Sequence, residues 1–303
     1  MAENRIRVVC GPTAAGKSAI ATGLGMEYTG TLISADSRQI YRGFDIGTAK
    51  PTTSELKAVP HRGIDVADPT ERCSASDWAA SANQWIDEAR QSERVPIIVG
   101  GTGFYVKALF EPLFEAPEVD SVRRTAFEKF VEPMSLADLR RWCETLDPDR
   151  SHLGRSQLIR AIETALLTGH RISELHESRA RVSPHAPAYL IVDPGDELAV
   201  RIETRVDAMI DAGWLNEVSN LDQTVSEGAP AWKASGYGTM RRVARGELDL
   251  SSARERIIIE TRQYAKRQRT WFRHQLGDAP VTRVDPSRPD WEGVDQRWWK
   301  ETS

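Results

Sequence analysis

Eight consecutive residues, Gly11-Pro12-Thr13-Ala14-Ala15-Gly16-Lys17-Ser18, constrain this chain more than any other part of it. They fit GxxxxGK[ST] throughout and stand between a β-rich apolar run, residues 6–10, and the helix-forming SAIATGLGMEY. Strand, glycine-rich turn and helix are the context in which this pattern binds phosphate. The glycines let the backbone curl so that its N–H groups face an anion, and the helix N-terminus adds its dipole. Lys17 supplies a point charge, and the Ser18 hydroxyl can ligate Mg²⁺. A chance glycine turn would need neither the strand before it nor the helix after it.

The same alternation continues. Residues 31–35 read as a second buried strand ending at Asp36, and residues 95–101, VPIIVGG, as a third, with a helical stretch at 75–90 before it. Strands alternating with helices predict a parallel sheet covered on both faces. After Leu109 the pattern changes to the proline-rich, acidic EPLFEAPEVD, and residues 121–178 carry apolar positions at helical spacing. Residues 189–192 return as a strand, with helices at 196–211 and 252–274, a short strand at 281–284 and a Trp-rich end that packs back on the core. The expected fold class is α/β: a P-loop NTPase-like core with a parallel β-sheet flanked by helices, plus an all-helical insertion domain. The core is split, with residues 1–112 and 189–303 on either side of an insertion at 113–188.

Composition narrows the class. The 303 residues contain no run of about 18 apolar positions, so no membrane span is expected. The N-terminal MAENRIRVVC lacks the basic-then-apolar build of a signal peptide, and a cytoplasmic location is expected. Cys10, Cys73 and Cys143 form no CxxC pair, which argues for ordinary thiols over a disulfide framework or a zinc site. A net charge of -4 gives no global attraction to nucleic acid. Residues 254–273 are the exception, with Arg254, Arg256, Arg262, Lys266, Arg267, Arg269 and Arg273 set against Glu255 and Glu260.

A P-loop by itself suggests a nucleoside triphosphatase or a small-molecule kinase. Here the third strand runs into Gly100-Gly101-Thr102-Gly103 instead of a Mg²⁺-binding Asp, and no NKxD motif occurs. The acid sits instead at the end of the second strand. In an open parallel sheet that strand end faces the crevice of the P-loop, where Asp36 suits a general base. A loop carboxylate or helix N-cap is an equally open reading of the same residue. On the C-terminal helix, Arg262, Lys266, Arg269 and Arg273 share a face, with Tyr264, Trp271 and Phe272 interleaved. That suits a phosphate backbone and unstacked bases, and it also suits a solvated basic face.

Taken in order over residues 11–273, GPTAAGKS, SADSRQIYRGFDIGTAKP, HRGIDVADP, GGTGFYVKAL, RIETRVDAMIDAGWLNEV and TRQYAKRQRTWFR resemble the bacterial tRNA dimethylallyltransferases, or tRNA isopentenyltransferases. The resemblance implies transfer of a dimethylallyl group from dimethylallyl diphosphate to N6 of adenosine 37, immediately 3′ of the anticodon, with diphosphate released and Mg²⁺ as cofactor at Ser18. The P-loop then grips a leaving group, which accounts for the missing ATPase acid. By resemblance Asp36 is the base, Lys17 and Arg205 clamp the diphosphate, and Thr102 reaches the substrate side. Asp36, Ser37, Arg38 and Gln39, with Thr102, would meet an adenosine flipped out of its stack. Arg123, Arg160, Lys233, Lys266, Arg267, Gln268, Arg269 and Arg273 would hold the tRNA anticodon stem-loop. A monomer without membrane or zinc partners is implied. Two departures stand out: Gln157 in GRSQLIRAIE where the family often has arginine, with Arg155 nearby, and Gly238 in KASGYG where a polar or cationic side chain is usual. An ATP-using small-molecule kinase and a nucleic-acid-binding ATPase are the competing readings.

Overall fold

The computed structural model describes residues 5–111, 120–178 and 183–302. The chain forms two compact units, one from Met1–Phe110 with Ser183–Ser303 and one from Glu111–Val182. In the first unit lie six strands: β1 Arg5–Cys10, β2 Gly30–Ser34, β3 His61–Arg62, β4 Val95–Gly100, β5 Ala186–Val192 and β6 Val281–Val284. They make one sheet in the order β3-β2-β4-β1-β5-β6, parallel throughout. The chain leaves β1 for β2 on one side, skipping the position between them that β4 later fills, and afterwards adds β5 and β6 on the other. The loop after β1 therefore opens at a topological switch point, where such sheets bind ligands.

Thirteen α-helices accompany the strands among the described residues. They are α1 Lys17–Glu27, α2 Thr53–Ala58, α3 Ala75–Gln91, α4 Gly103–Phe110, α5 Ser121–Val131, α6 Leu136–Leu146, α7 Arg155–Thr168, α8 Ile172–Ser178, α9 Leu198–Asp211, α10 Trp214–Thr224, α11 Tyr237–Ala244, α12 Leu250–His274 and α13 Trp291–Glu301. Because the parallel strands are covered on both faces, they read as unbroken apolar runs, with Val8, Val9, Ile33, Ile97, Ile98 and Leu190 fully buried. Burying such a side chain is worth roughly 1.5–3 kcal/mol, so the central strands dominate the stability of this unit.

The tryptophan-rich end does close on the core. Trp298 and Trp299 of α13 join the cluster of Val9, Leu24 and Leu190, and Trp299 stacks on Tyr28 with centroids 4.2 Å apart. Arg7 lies 4.0 Å over the Trp299 ring and donates to Thr302 Oγ1 at 3.1 Å. The return strand starts at Ala186, three residues before the segment read from sequence, because Ala186-Pro187-Ala188 carries no β-branched signal yet still pairs with Arg5–Arg7.

The second unit is helical among its described residues, α5 to α8, around Phe127, Leu139, Cys143, Leu158 and Ile162. Asp147, wholly buried, accepts from both the hydroxyl and the backbone N–H of Ser173 and so ties the start of α8 to the end of α6. All three cysteines are free thiols.

Candidate active site at the phosphate loop

The loop leaves β1 and enters α1 through Gly16, whose φ of 96° is the left-handed conformation that glycine adopts without steric cost. Ala14 also has a positive φ, 62°, so the loop holds a backbone shape that side-chain preference alone would not choose. Lys17, the first residue of α1, folds back to donate to Pro12 O at 2.7 Å. Burial, reinforced by the nearby Arg205 guanidinium, lowers the Lys17 ammonium from its usual value to about 8, with Asp36 opposing. Arg205, on α9, is itself lowered by burial and held up by Asp36.

Asp36 follows β2. Its Oδ1 accepts the Arg38 N–H at 2.8 Å, so the loop-carboxylate reading is correct for one oxygen. The same side chain lines two cavities at once. One, of about 70 Å³, is walled by Lys17, Ser18, Gln39 and Gly101, and the other, of about 500 Å³, by Trp214, Trp232, Met209 and Ile257. Thr13, Asp36, Arg205 and Tyr264 line both. A ligand on the phosphate loop and a ligand in the larger cleft would therefore meet at these four residues.

Thr102 buttresses this junction. Its Oγ1 accepts the Ser37 N–H at 3.0 Å and bonds to the Ser37 hydroxyl at 3.3 Å. The glycines around it are explained by α12. A Cβ on Gly101 would come within 2.3 Å of Gln268, and one on Gly103 within 2.2 Å of the Trp271 ring. The end of β4 is thus surrendered to close helix packing, and no acid could stand at Gly101 without displacing Gln268.

Gln39 is fully used. Its Oε1 accepts the Ser34 hydroxyl at 3.0 Å, and its Nε2 donates to Ala49 O at 3.0 Å and Thr48 O at 3.3 Å. Lys50 fixes the same loop, donating to Tyr41 O and Asp45 Oδ1 at 2.6 Å each. Glu217 of α10 closes it from the far side, accepting the Ile46 N–H at 2.7 Å and the Tyr237 hydroxyl at 2.6 Å. Glu217 is missed by sequence reasoning: a glutamate in an amphipathic helix carries no sign that it accepts loop amides.

The basic helix divides its residues. Arg267 lines the larger cleft, together with Arg38 and Lys233 from elsewhere in the chain, and Lys266 and Arg273 are exposed. Two residues expected to touch RNA are engaged within the protein instead, Gln268 buried and Arg269, with 31% of its side chain exposed, held by a carboxylate. Gln268, 6% exposed, accepts the Thr13 N–H and donates to Gly101 O, both at 2.8 Å, strapping the phosphate loop to β4. Arg269 forks onto Asp193 at the end of β5, with Nε 2.9 Å from Oδ2. Arg262 pairs with Glu203, and Arg254 with Asp207, both acids on α9. The inward face carries Tyr264, Gln268, Trp271 and Phe272, an i, i+4, i+7, i+8 stripe legible in the sequence as the packing side.

In the second unit Arg123 is exposed, while Arg160 pairs with Glu163 at 2.7 Å. Arg155 does not stand in for an arginine at 157: its guanidinium donates to the carbonyls of Val131, Glu132 and Met134, closing the end of α5. Gln157 accepts the Gly154 N–H at the start of α7. A side chain at Gly238 would meet open space, so the departure there leaves the packing intact.

Fold and site define a class: a parallel-sheet P-loop protein whose phosphate pocket joins a second, larger cleft at a carboxylate. Comparison with known proteins narrows it. The IPP transferase family matches residues 39–275, and the isopentenyl transferase family residues 4–66. The tRNA dimethylallyltransferase of Cyanothece sp. is 38% identical over 283 residues, 91% of this chain and 90% of that one. The enzyme of the same name from Anaeromyxobacter sp. (strain K) is 39% identical, over 91% of this chain and 92% of its own. Among solved structures, the tRNA isopentenylpyrophosphate transferase of Staphylococcus epidermidis superposes with a TM-score of 0.68 at 28% identity, covering 99% of this chain and 100% of that one. A eukaryotic dimethylallyltransferase captured acting on tRNA gives 0.81 at 25% identity, over 97% of this chain and 77% of its own. The chain belongs to the tRNA dimethylallyltransferase family of prenyl-transferring enzymes.

Proposed function

We propose that this protein transfers the dimethylallyl group of dimethylallyl diphosphate to N6 of adenosine 37 in tRNA. The observation that carries the reading is the junction: Asp36 lines both the phosphate pocket and the larger cleft, between Lys17 and Arg205 on one side and an aromatic-walled opening on the other. The diphosphate lies on the loop amides and Lys17, with Arg205 as a second cation, and the flipped adenine enters from the larger cleft. The N6 lone pair forms a bond to C1 of the allyl group as the C1–O bond breaks. Both electrons of that bond leave with diphosphate, and the N6 proton passes to the Asp36 carboxylate. Lys17, Arg205 and the loop N–H groups stabilise the charge that grows on the leaving group. A kinase site would instead present a phosphate-binding loop to a small acceptor, with no use for the cations Arg38, Lys233 and Arg267 around a 500 Å³ cleft.

The residues suit Mg²⁺. Among the described residues no group of three or more His, Cys, Asp or Glu could hold a metal, and Ser18 offers one hydroxyl to the phosphate pocket. A single protein oxygen fits an ion that keeps waters and takes substrate phosphate oxygens for the rest of its shell. When bound it neutralises charge on the diphosphate.

The exposed Lys266 and Arg273, with Arg123 in the helical unit, are the proposed contacts to the phosphates of the anticodon stem-loop. We assign the enzyme to the cytoplasm as a monomer; no helix among the described residues is long and apolar enough to cross a membrane.

The test is transfer of label from radiolabelled dimethylallyl diphosphate to an anticodon stem-loop. Asp36→Ala is expected to lower the rate by about 10²–10⁴-fold while diphosphate still binds. Wild-type protein that consumes ATP with a small acceptor and leaves the RNA unlabelled would overturn the reading in favour of a kinase.

A further inference from the structure

Four residues line both arms of the site, and the transfer proposed above employs three of them: Thr13 within the phosphate loop, Asp36 as base and Arg205 as clamp. Tyr264 is the fourth. Of the four it alone presents an aromatic ring at the junction. A five-carbon group passing from a diphosphate in one arm to an amine in the other must lie at that junction while it moves. As its C–O bond lengthens, the allyl carbons take on positive charge. Lys17 and Arg205, the cations that grip the leaving group, sit at the same place and oppose that charge.

We propose that Tyr264 is a further catalytic residue: its ring lies against the dimethylallyl group and stabilises the positive charge that develops there as diphosphate leaves. The inference rests on the proposed transfer. The ring makes and breaks no bond; N6 gives the electron pair that closes on C1, diphosphate takes the pair from C1–O, and Asp36 takes the proton.

An aromatic face attracts a cation within about 6 Å of its centroid, more strongly when both are desolvated. Tyr264 already presents its ring to one, the Arg267 guanidinium at 5.8 Å. The ring is also held in place. Ala265 and Gln268, both buried, anchor this turn of α12 against the core. Burial and the charge of Asp36 push the phenol up to about 12, so near neutral pH it is an uncharged ring and not an anion that could capture the allyl group.

The experiment is single-turnover transfer to an anticodon stem-loop by the full chain, comparing wild type, Tyr264→Phe, a series with increasingly fluorinated phenylalanines at position 264, and Tyr264→Leu. Fluorination drains the ring face while nearly preserving its shape, so a folding defect in Tyr264→Leu leaves the test intact. Tyr264→Phe is expected to stay within about threefold of wild type, and the rate to fall stepwise by roughly tenfold across the fluorinated series, with stem-loop affinity constant. A flat fluorination series, or Tyr264→Phe as slow as Tyr264→Leu, overturns the proposal and leaves Tyr264 as a wall of the two cavities. If wild type transfers normally while the series is flat, only this inference falls. If wild type does not transfer at all, the proposed function falls and takes it along.

Discussion

The phosphate loop and the outer face of α12 are both rich in signals of anion binding, yet the structure treats them differently. At the loop, charge is turned inward and left without a counter-anion in contact: Lys17 reaches only a carbonyl, and its ammonium is lowered to about 8. On α12 much of the charge is paired within the chain, at its surface. Arg254, Arg262 and Arg269 face Asp207, Glu203 and Asp193. A cation kept in a low-dielectric pocket without an acid in contact is a poor stabiliser of the fold and a strong ligand for an incoming anion. A cation with a carboxylate partner has little left to offer RNA.

The largest test of this contrast is at Lys17. Lys17→Met keeps the volume and removes the charge that faces the leaving diphosphate. Transfer is expected to fall by about 10²–10³-fold, the scale of losing one preorganised electrostatic contact, while stem-loop affinity holds. A variant that lost RNA binding in parallel would merge the two regions that the structure separates.

Gln268 is where they touch. Gln268→Leu leaves the Thr13 N–H and the Gly101 carbonyl without their partner, at a cost of roughly 1–3 kcal/mol. A drop in Tm of several degrees, accompanied by weaker diphosphate binding and unchanged salt dependence of RNA binding, would mark it as part of the loop. Loss of RNA affinity alone would return it to the outer face.

The lowered Lys17 ammonium also predicts a pH dependence. Its charged form, which binds diphosphate, is full below about pH 7 and is lost as pH rises through about 8. Diphosphate affinity of the free protein should therefore weaken by about tenfold between pH 7 and 9 by calorimetry. In Lys17→Met that alkaline loss should vanish.

The phosphate loop was legible because its chemistry is local. Eight contiguous residues between a strand and a helix determine their own geometry, and the buried parallel strands announce themselves as apolar runs. β3 escaped because two polar residues, His61 and Arg62, carry no period, and it exists only by pairing with Leu32 and Ile33. The roles of Gln268 and Arg269 were illegible for a related reason. Their partners lie at Thr13, Gly101 and Asp193, far away in sequence, and a helical wheel shows which residues share a face but not what that face meets. The junction at Asp36 was visible as an acid at a strand end. Tyr264 joins it from more than two hundred positions away, by virtue of standing one turn before Gln268 on the inward stripe.

The smallest expected effects separate the two kinds of basic residue on α12. Lys266→Ala and Arg273→Ala remove exposed cations, so each should weaken stem-loop binding a few-fold and lower the slope of log affinity against log salt by about 1, leaving Tm unchanged. Arg262→Ala should do the reverse. Its pair with Glu203 is exposed on both sides, which limits the stability loss to about 1 kcal/mol or less, and the arginine already has its anion, so the salt slope should not move. If Arg262→Ala lowered the slope as much as Lys266→Ala, the pair would have to open for RNA. Glu203 would then act as a competitor that the phosphate displaces, and Glu203→Gln would tighten binding.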